Sequence, residues 1–310
     1  MSRSILLHQN VPDAIIFRDT LATLAVNFEV FVWPDCPSLE SVEVAVIWQE
    51  MNAFPAMLPN LGLLLVCGSG VDSVIESVSV PRSVPVVRLV DPHIKERVSD
   101  YVVMAALNHV RKWDHYARHQ KEARWDRMTD ISVKPKVGIM GLGLIGETTA
   151  QKLLAMGFET CGWVRTRRSR NLTEVYVGDK ELHDFARQCA IVICILPLTH
   201  RTRGILCQQF FERLPEGAYL INVGRGGHLV DDDLLQALDD GHLSGACLDV
   251  FESEPLPVQH PFWSNPRITV TPHIAGGLRP EWQAAHAAEV IYDHMNGRTL
   301  KGVVNHDTQY

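Results

Sequence analysis

Short apolar runs recur along this chain, with longer polar segments of helical period between them. In the first third, Ile5–His8, Glu29–Trp33, Val44–Trp48, Leu63–Cys67 and Val84–Leu89 read as strands, each a brief apolar stretch. Helical spacing predicts helices over Val11–Leu21 and Val71–Val78. Strands that alternate with helices imply parallel βαβ units, whose crossovers cover both faces of a sheet.

From Arg97 to about His119 the pattern predicts one long helix. It contains neither Gly nor Pro, and Val98, Val102, Ala105, Ala106, His109 and Val110 share one side. A polar, Trp-bearing segment follows as far as Pro135, and the alternation then starts again. Its strands are Val137–Met140, Phe158–Val164, Ala190–Leu196, Ala218–Val223, Gly245–Val250 and Ile268–Thr271. A last helix, Pro280–Asn296, has Gly297 as its stop. Two alternating series within 310 residues predict an α/β protein of two doubly wound parallel-sheet domains with a cleft between them.

Composition narrows the function classes. With 46% hydrophobic and 21% charged residues the chain can build packed cores. A net charge of −7 without a long basic run argues against a nucleic-acid partner. No apolar stretch approaches the roughly 20 residues that span a bilayer, so no membrane partner is expected. The amino terminus reaches polar residues too early for a signal peptide, and the seven cysteines are odd in number and form no CxxC. Cys67, Cys194 and Cys247 sit inside apolar runs as small hydrophobes do. A reducing compartment, the cytoplasm, is the expectation.

Candidate chemistry begins where Lys136-Val-Gly-Ile-Met140 enters Gly141-Leu-Gly143-Leu-Ile-Gly146. A GxGxxG run is weak evidence alone, but here a predicted strand precedes it and a predicted helix follows. Gly141 then permits the tight turn, Gly143 lets a pyrophosphate near the backbone, and Gly146 allows close helix–strand packing. Amide groups of Leu144, Ile145 and Gly146 at the helix start would face the phosphates. At the end of the next strand, where NAD readers place a carboxylate, this chain has Arg165, Thr166, Arg167 and Arg168. Guanidinium groups attract a 2′-phosphate that a carboxylate would repel. NADP(H) is therefore the expected cofactor, with NAD(H) the alternative.

Three polar residues follow predicted strand ends in the second series: Arg225 in Asn222-Val-Gly-Arg225, Glu254 in Asp249-Val-Phe-Glu-Ser-Glu254, and His273 in Thr271-Pro-His273. Ligands of open α/β sheets bind beyond the carboxyl ends of strands, so the three can converge. The surrounding segments are Gly217–Arg225, Asp231–Leu238, Leu248–Phe251, Glu254–Pro257, Pro261–Trp263, Pro266–Thr269 and Thr271–His273. Together they resemble the D-isomer-specific 2-hydroxyacid dehydrogenases over essentially the whole chain. The Trp163–Arg168 loop, Gly68-Ser-Gly-Val-Asp72, Arg88 and Arg279-Pro280 resemble the bacterial glyoxylate/hydroxypyruvate reductases within that family.

The resemblance implies a flavodoxin-like substrate-binding domain from 1–94 and 277–310, and a Rossmann NADP(H)-binding domain from 95–276. Reduction of a 2-oxo acid needs a hydride at the carbonyl carbon and a proton at its oxygen. His273 would give the proton, Glu254 would orient the ring and favour its charged form, and Arg225 would hold the carboxylate. The resemblance further implies that Gly68, Ser69, Gly70 and Val71 offer backbone amides to the substrate and that Trp48 and Arg279 close its pocket. It also implies that Asp249 accepts from the nicotinamide amide, Leu196 and Pro197 line the adenine side, and Val223 and Gly224 border the cofactor.

The expected activity is NADPH-dependent reduction of glyoxylate and hydroxypyruvate. Bulkier 2-oxo acids are an alternative substrate class, and a dinucleotide-sensing binding protein is an alternative of another kind. A homodimer through the region after Arg97 is expected. His115 and His119 stand at i, i+4, a spacing used by some metal sites, but no recognisable third ligand accompanies them, so no metal is expected.

Overall fold

The computed structural model describes residues 3–48, 54–67, 80–89, 91, 93–127, 134–166, 174–277 and 279–304. It divides into two compact units, one of Met1–Pro92 with Leu278–Tyr310, the other of His93–Gly277. Among the described residues no helix is long and apolar enough to cross a membrane.

Among the described residues the first unit holds five parallel strands: β1 (Arg3–Leu7), β2 (Phe28–Val32), β3 (Val42–Ile47), β4 (Leu63–Cys67) and β5 (Val86–Leu89). They lie in the order β2-β1-β3-β4-β5, the flavodoxin-like doubly wound arrangement. Ile5, Leu7, Val44, Val46, Leu63 and Leu65 point to one face, while Leu6, Ala45, Ile47, Leu64 and Val66 point to the other. Both faces are buried, which is why these strands read as unbroken apolar runs. Phe17 and Leu21 of α1 (Ala14–Leu24) pack on the first face with Ala284, Ala287 and Ile291. Those three belong to the final helix of the chain, Pro280–Met295. Gly297 follows it with φ 64°, the left-handed stop expected there. The predicted helix over Val71–Val78 lies outside the described residues.

Among the described residues the second unit is built on seven parallel strands. These are β6 (Val137–Met140), β7 (Thr160–Val164), β8 (Glu174–Val177), β9 (Ile191–Cys194), β10 (Ala218–Asn222), β11 (Leu243–Leu248) and β12 (Ile268–Val270). Their order, β12-β11-β10-β9-β6-β7-β8, is the Rossmann order with one further strand at the β11 edge. Helices α2 (Ile94–Val110) and α4 (Leu144–Ala155) cover one face, where Val102, Ala106, Ala150 and Leu153 meet Ile139, Ile193 and Ile221. Helices α5 (Gly178–Ala186) and α7 (Asp231–Asp239) cover the other, bringing Phe185, Leu234 and Leu238 to Trp163, Leu220 and Leu248. The short α6 (Gln208–Phe211) adds Phe210 and Phe211 to that core.

Two expectations need correction. The single helix over Arg97–His119 is in fact α2 followed by α3 (Trp113–Lys121), separated at Lys112, whose φ of 55° is left-handed. The apolar stripe ends at Val110 and α3 is polar, so one straight helix would have had no buried face to continue. Strand β8 and helix α5 escaped the pattern because Glu174–Val177 is a short, half-exposed strand at the sheet edge.

Candidate active site

Register places the chemistry in a row. Met140 is level with Trp163 on one side and Cys194 on the other; Cys194 is level with Asn222, Asn222 with Leu248, and Leu248 with Val270. The loops that leave these positions therefore line one carboxyl edge of the sheet, with neighbouring strands about 4.8 Å apart. The chain leaves β6 in one direction to build β7 and β8, then returns to add β9 on the other side. This reversal is the switch point at which such sheets bind ligands.

At that point Gly141 adopts φ 103°, and a Cβ there would lie 2.9 Å from the Ile195 carbonyl oxygen. A Cβ on Gly146 would fall 1.9 Å from the Gly141 carbonyl oxygen, so only glycine lets α4 seat against the loop. Gly143 differs: a Cβ there would meet no described atom within 4 Å. Its side of the loop is open. The first bond within α4 runs from Glu147 N–H to the Gly143 carbonyl, leaving the amides of Leu144, Ile145 and Gly146 ahead of it. These are the features a pyrophosphate needs, and the loop fits a dinucleotide. Beyond β7, Arg165 and Thr166 are exposed, while Arg167 and Arg168 lie outside the described residues. Leu196 and Pro197 leave β9, on the opposite side of β6 from β7.

Beyond β10 the chain turns through Val223 and Gly224 to Arg225. Asn222, wholly buried, accepts from the Gly224 amide at 3.2 Å and donates to the Arg225 carbonyl at 3.1 Å. The buried His228 accepts from the Arg225 amide through Nδ1 at 3.1 Å. The half-buried Arg225 side chain donates from Nη1 to the Gly224 carbonyl at 2.7 Å.

Beyond β11 and β12, Glu254 and His273 meet. His273 Nδ1 lies 2.8 Å from Glu254 Oε2, and the other carboxylate oxygen accepts from the Phe251 amide at 3.0 Å. A carboxylate only accepts, so Nδ1 carries the proton and Nε2 is the atom directed away from the pair. His273 has φ 53°, a left-handed conformation that costs a non-glycine residue about 1–2 kcal/mol.

Asp249 holds that conformation in place. Its carbonyl accepts from the His273 amide at 2.9 Å, and its carboxylate accepts from the amides of Ile274 and Ala275, each at 2.8 Å, and from the Thr271 hydroxyl at 2.6 Å. Tyr101 of α2 lies 2.5 Å from the Thr271 hydroxyl oxygen and completes the chain of bonds. Burial pushes the Asp249 carboxyl above its usual range, against the pull of the Thr271 hydroxyl and the two amides. Burial raises the Tyr101 phenol too. With Asp249 only 1% exposed, three of its roughly four acceptor positions are filled from within the chain, so its visible work is on the His273 loop.

The structure thus gathers Arg225, Glu254, His273 and the glycine loop along one edge. Sequence reasoning missed Asn222, His228, Thr271 and Tyr101 as their supports. Asn222 and His228 could have been suspected as polar residues within three positions of Arg225. Tyr101 carried no signal, since only the fold brings α2 to β12. The expected substrate contacts belong to the first unit. Trp48 is half-buried against that unit's core, and Arg279 is exposed with its guanidinium 4.7 Å from the centre of the Trp282 ring. Gly68, Ser69, Gly70 and Val71 lie outside the described residues.

Comparison with known proteins agrees with this geometry. The sequence profile of the D-isomer specific 2-hydroxyacid dehydrogenase NAD binding domain matches residues 103–275. A D-isomer specific 2-hydroxyacid dehydrogenase from Xanthobacter autotrophicus Py2, solved with NADPH and MES, superposes with a TM-score of 0.87 at 32% identity over 100% of both chains. The NADPH-dependent glyoxylate/hydroxypyruvate reductase of Sinorhizobium meliloti, solved with NADP and sulfate, gives 0.88 at 33% over 100% of both. A family protein from Klebsiella pneumoniae 342 gives 0.89 at 32% over 98% of each. Fold, glycine loop and matched profile define a nicotinamide-dinucleotide-dependent oxidoreductase. More narrowly, the chain belongs to the D-isomer specific 2-hydroxyacid dehydrogenase family.

Proposed function

We propose that this enzyme reduces small 2-oxo acids with NADPH, taking glyoxylate to glycolate and hydroxypyruvate to D-glycerate. The observation that carries the reading is the Glu254–His273 pair at 2.8 Å, on the same sheet edge as the glycine loop and the Arg225 turn. NADPH, when bound, supplies the hydride to the carbonyl carbon. His273 hydrogen-bonds the carbonyl oxygen through Nε2 and gives it a proton, and Glu254 steadies the charged ring through Nδ1. Arg225 holds the substrate carboxylate with a guanidinium that keeps its charge at any working pH. Asn222 and His228 fix the backbone from which it reaches, and Asp249 fixes that of His273.

The preference for NADPH is supported by Arg165 and Thr166, exposed where β7 ends beside β6. Arg167 and Arg168 extend the basic run. The S. meliloti relative is described as NADPH-dependent and as a glyoxylate/hydroxypyruvate reductase, which supports both cofactor and substrate class. A symmetric homodimer is part of the proposal: Trp113 and Trp125 are 63% and 96% exposed, large aromatic surfaces for a lone chain to leave in water. Sedimentation at micromolar concentration should give twice the chain mass; a monomer throughout would remove the dimer.

The decisive assay is a panel of 2-oxo acids followed by nicotinamide absorbance with each cofactor. One charge-assisted bond to the 2′-phosphate contributes about 1.5–3 kcal/mol, so kcat/KM with NADPH should exceed that with NADH at least about tenfold. Glyoxylate and hydroxypyruvate should be better substrates than phenylpyruvate. Equal use of both cofactors would defeat the NADPH assignment, and tight NADPH binding without turnover of any acid would leave a dinucleotide-sensing protein.

A further inference from the structure

The sequence offered His115 and His119 one turn apart with no third ligand, and the fold supplies one. Both lie on α3, a helix of nine residues. The chain then turns at Ala123, whose φ is 51°, with the Arg124 amide donating to the His119 carbonyl at 2.9 Å. That turn carries Asp126 back beside the helix. One ring nitrogen from each histidine and one carboxylate oxygen of Asp126 all lie within 4.8 Å of one another.

The two nitrogens are the telling atoms. His115 Nε2 and His119 Nδ1 are buried, and neither has a hydrogen-bond partner among the described residues. His119 as a whole is only 9% exposed, and the two ring centres stand 3.9 Å apart. Native proteins rarely leave buried polar atoms unmatched, and a missing ion is one standard reason when they do. The His119 Nδ1 to Asp126 Oδ2 distance of 4.0 Å is too long for a hydrogen bond. It is close to the roughly 3.3 Å that separates two ligands of one tetrahedral ion, so a small side-chain movement closes the site. Arg124 Nη2 is 3.6 Å from Asp126 Oδ2, and its Nη1 already lies 3.5 Å from Glu122, to which it can turn when a cation takes the carboxylate.

We propose that His115 Nε2, His119 Nδ1 and Asp126 Oδ2 bind a divalent late-transition-metal ion, Zn²⁺ in the first instance, with water in the fourth position. Two imidazoles and one carboxylate suit Zn²⁺, Ni²⁺ or Co²⁺, whereas Mg²⁺ and Ca²⁺ take oxygen ligands. The ion would clamp the turn at Glu122–Asp126 to α3. It has no part in the sheet-edge chemistry described above.

Chelator-treated full-length protein is titrated calorimetrically with ZnCl₂ and, in parallel, with CoCl₂ followed by visible absorption. The expected result is one saturable equivalent per chain and a tetrahedral Co²⁺ band. His115→Gln and His119→Gln should each weaken binding by more than the roughly 10–100-fold that follows loss of an outer-shell partner. Asp126 is exposed, so Asp126→Asn should fold as the parent does, weaken Zn²⁺ and change the Co²⁺ band. Turnover with NADPH should stay at the parent level in all three. No saturable equivalent in the parent, or a Co²⁺ band unchanged in His119→Gln and in Asp126→Asn, would overturn the site.

Discussion

The two halves of the second unit's sheet edge are made in opposite ways. Around β6 the glycine loop works through backbone alone, with one glycine in a left-handed turn, one in contact with a carbonyl and one facing open space. Around β10, β11 and β12 the loops are cross-linked by side chains, through Asn222 and His228 on one turn and Asp249 with Thr271 and Tyr101 on the next. The first half should fail when an atom is added, the second when a hydrogen bond is removed. Binding of a dinucleotide needs backbone amides that reach a phosphate. Proton transfer needs a ring held at a fixed angle, which only directional bonds supply.

The broadest effect, on stability and on binding together, should come from Gly146→Ala, because its Cβ would lie 1.9 Å from a backbone oxygen that cannot step aside. Melting temperature should fall by several degrees and NADPH affinity by at least about a hundredfold, some 2.7 kcal/mol. Gly143→Ala sharpens the contrast, since its Cβ meets no described atom within 4 Å. It should melt as the parent does and still bind NADPH poorly. Unchanged NADPH affinity in Gly143→Ala would mean that no phosphate approaches that glycine.

His273→Ala reaches the chemistry alone. Loss of the proposed proton donor should lower kcat by roughly 10²–10⁴-fold with NADPH binding near normal; a fall of less than about tenfold would assign the proton to another group. Thr271→Val tests the support beneath it. The variant loses the hydroxyl that donates to Asp249 at 2.6 Å, and kcat should fall about tenfold, near 1.4 kcal/mol. Thr271→Ser should restore most of it, and failure of that rescue would point to packing instead.

The smallest effect concerns stability in acid. Burial, with help from Lys112, lowers His109 to about 4, and its ring stacks on Tyr219 at 4.0 Å. The unfolded chain takes up the proton near 6.5, so the contribution is complete above that pH. It is lost as pH falls from 6.5 towards 4. His109→Phe keeps a ring for the stack and removes the titration. Denaturant midpoints at pH 5 and pH 7.5 should differ less in the variant than in the parent; equal differences would show that His109 does not ionise on unfolding.

Much of this was legible in the sequence because parallel sheets buried on both faces leave apolar runs such as Leu63–Cys67 and Val137–Met140, which match the observed strands. Arg225, Glu254 and His273 stood out because each follows such a run. The break at Lys112 was hidden, since a left-handed lysine carries no composition signal and the apolar stripe simply stops. Tyr101 and the burial of Asp249 were hidden for a different reason. Each depends on packing between segments far apart in the chain, which periodicity cannot report. Asp126 escaped similarly, because a turn and not a helical repeat brings it to His119.

The central claim is that Glu254 acts through His273, and a comparison of two backgrounds tests it most directly. Glu254 Oε2 lies 2.8 Å from Nδ1, and Glu254→Gln keeps the shape while removing the carboxylate that orients the ring. Measured with saturating NADPH and hydroxypyruvate, kcat should fall at least about tenfold, near 1.4 kcal/mol, when Glu254→Gln is made in the parent, and by less than about twofold when it is made in His273→Ala. An equal fall in both backgrounds would contradict the pairing on which the proposed chemistry rests.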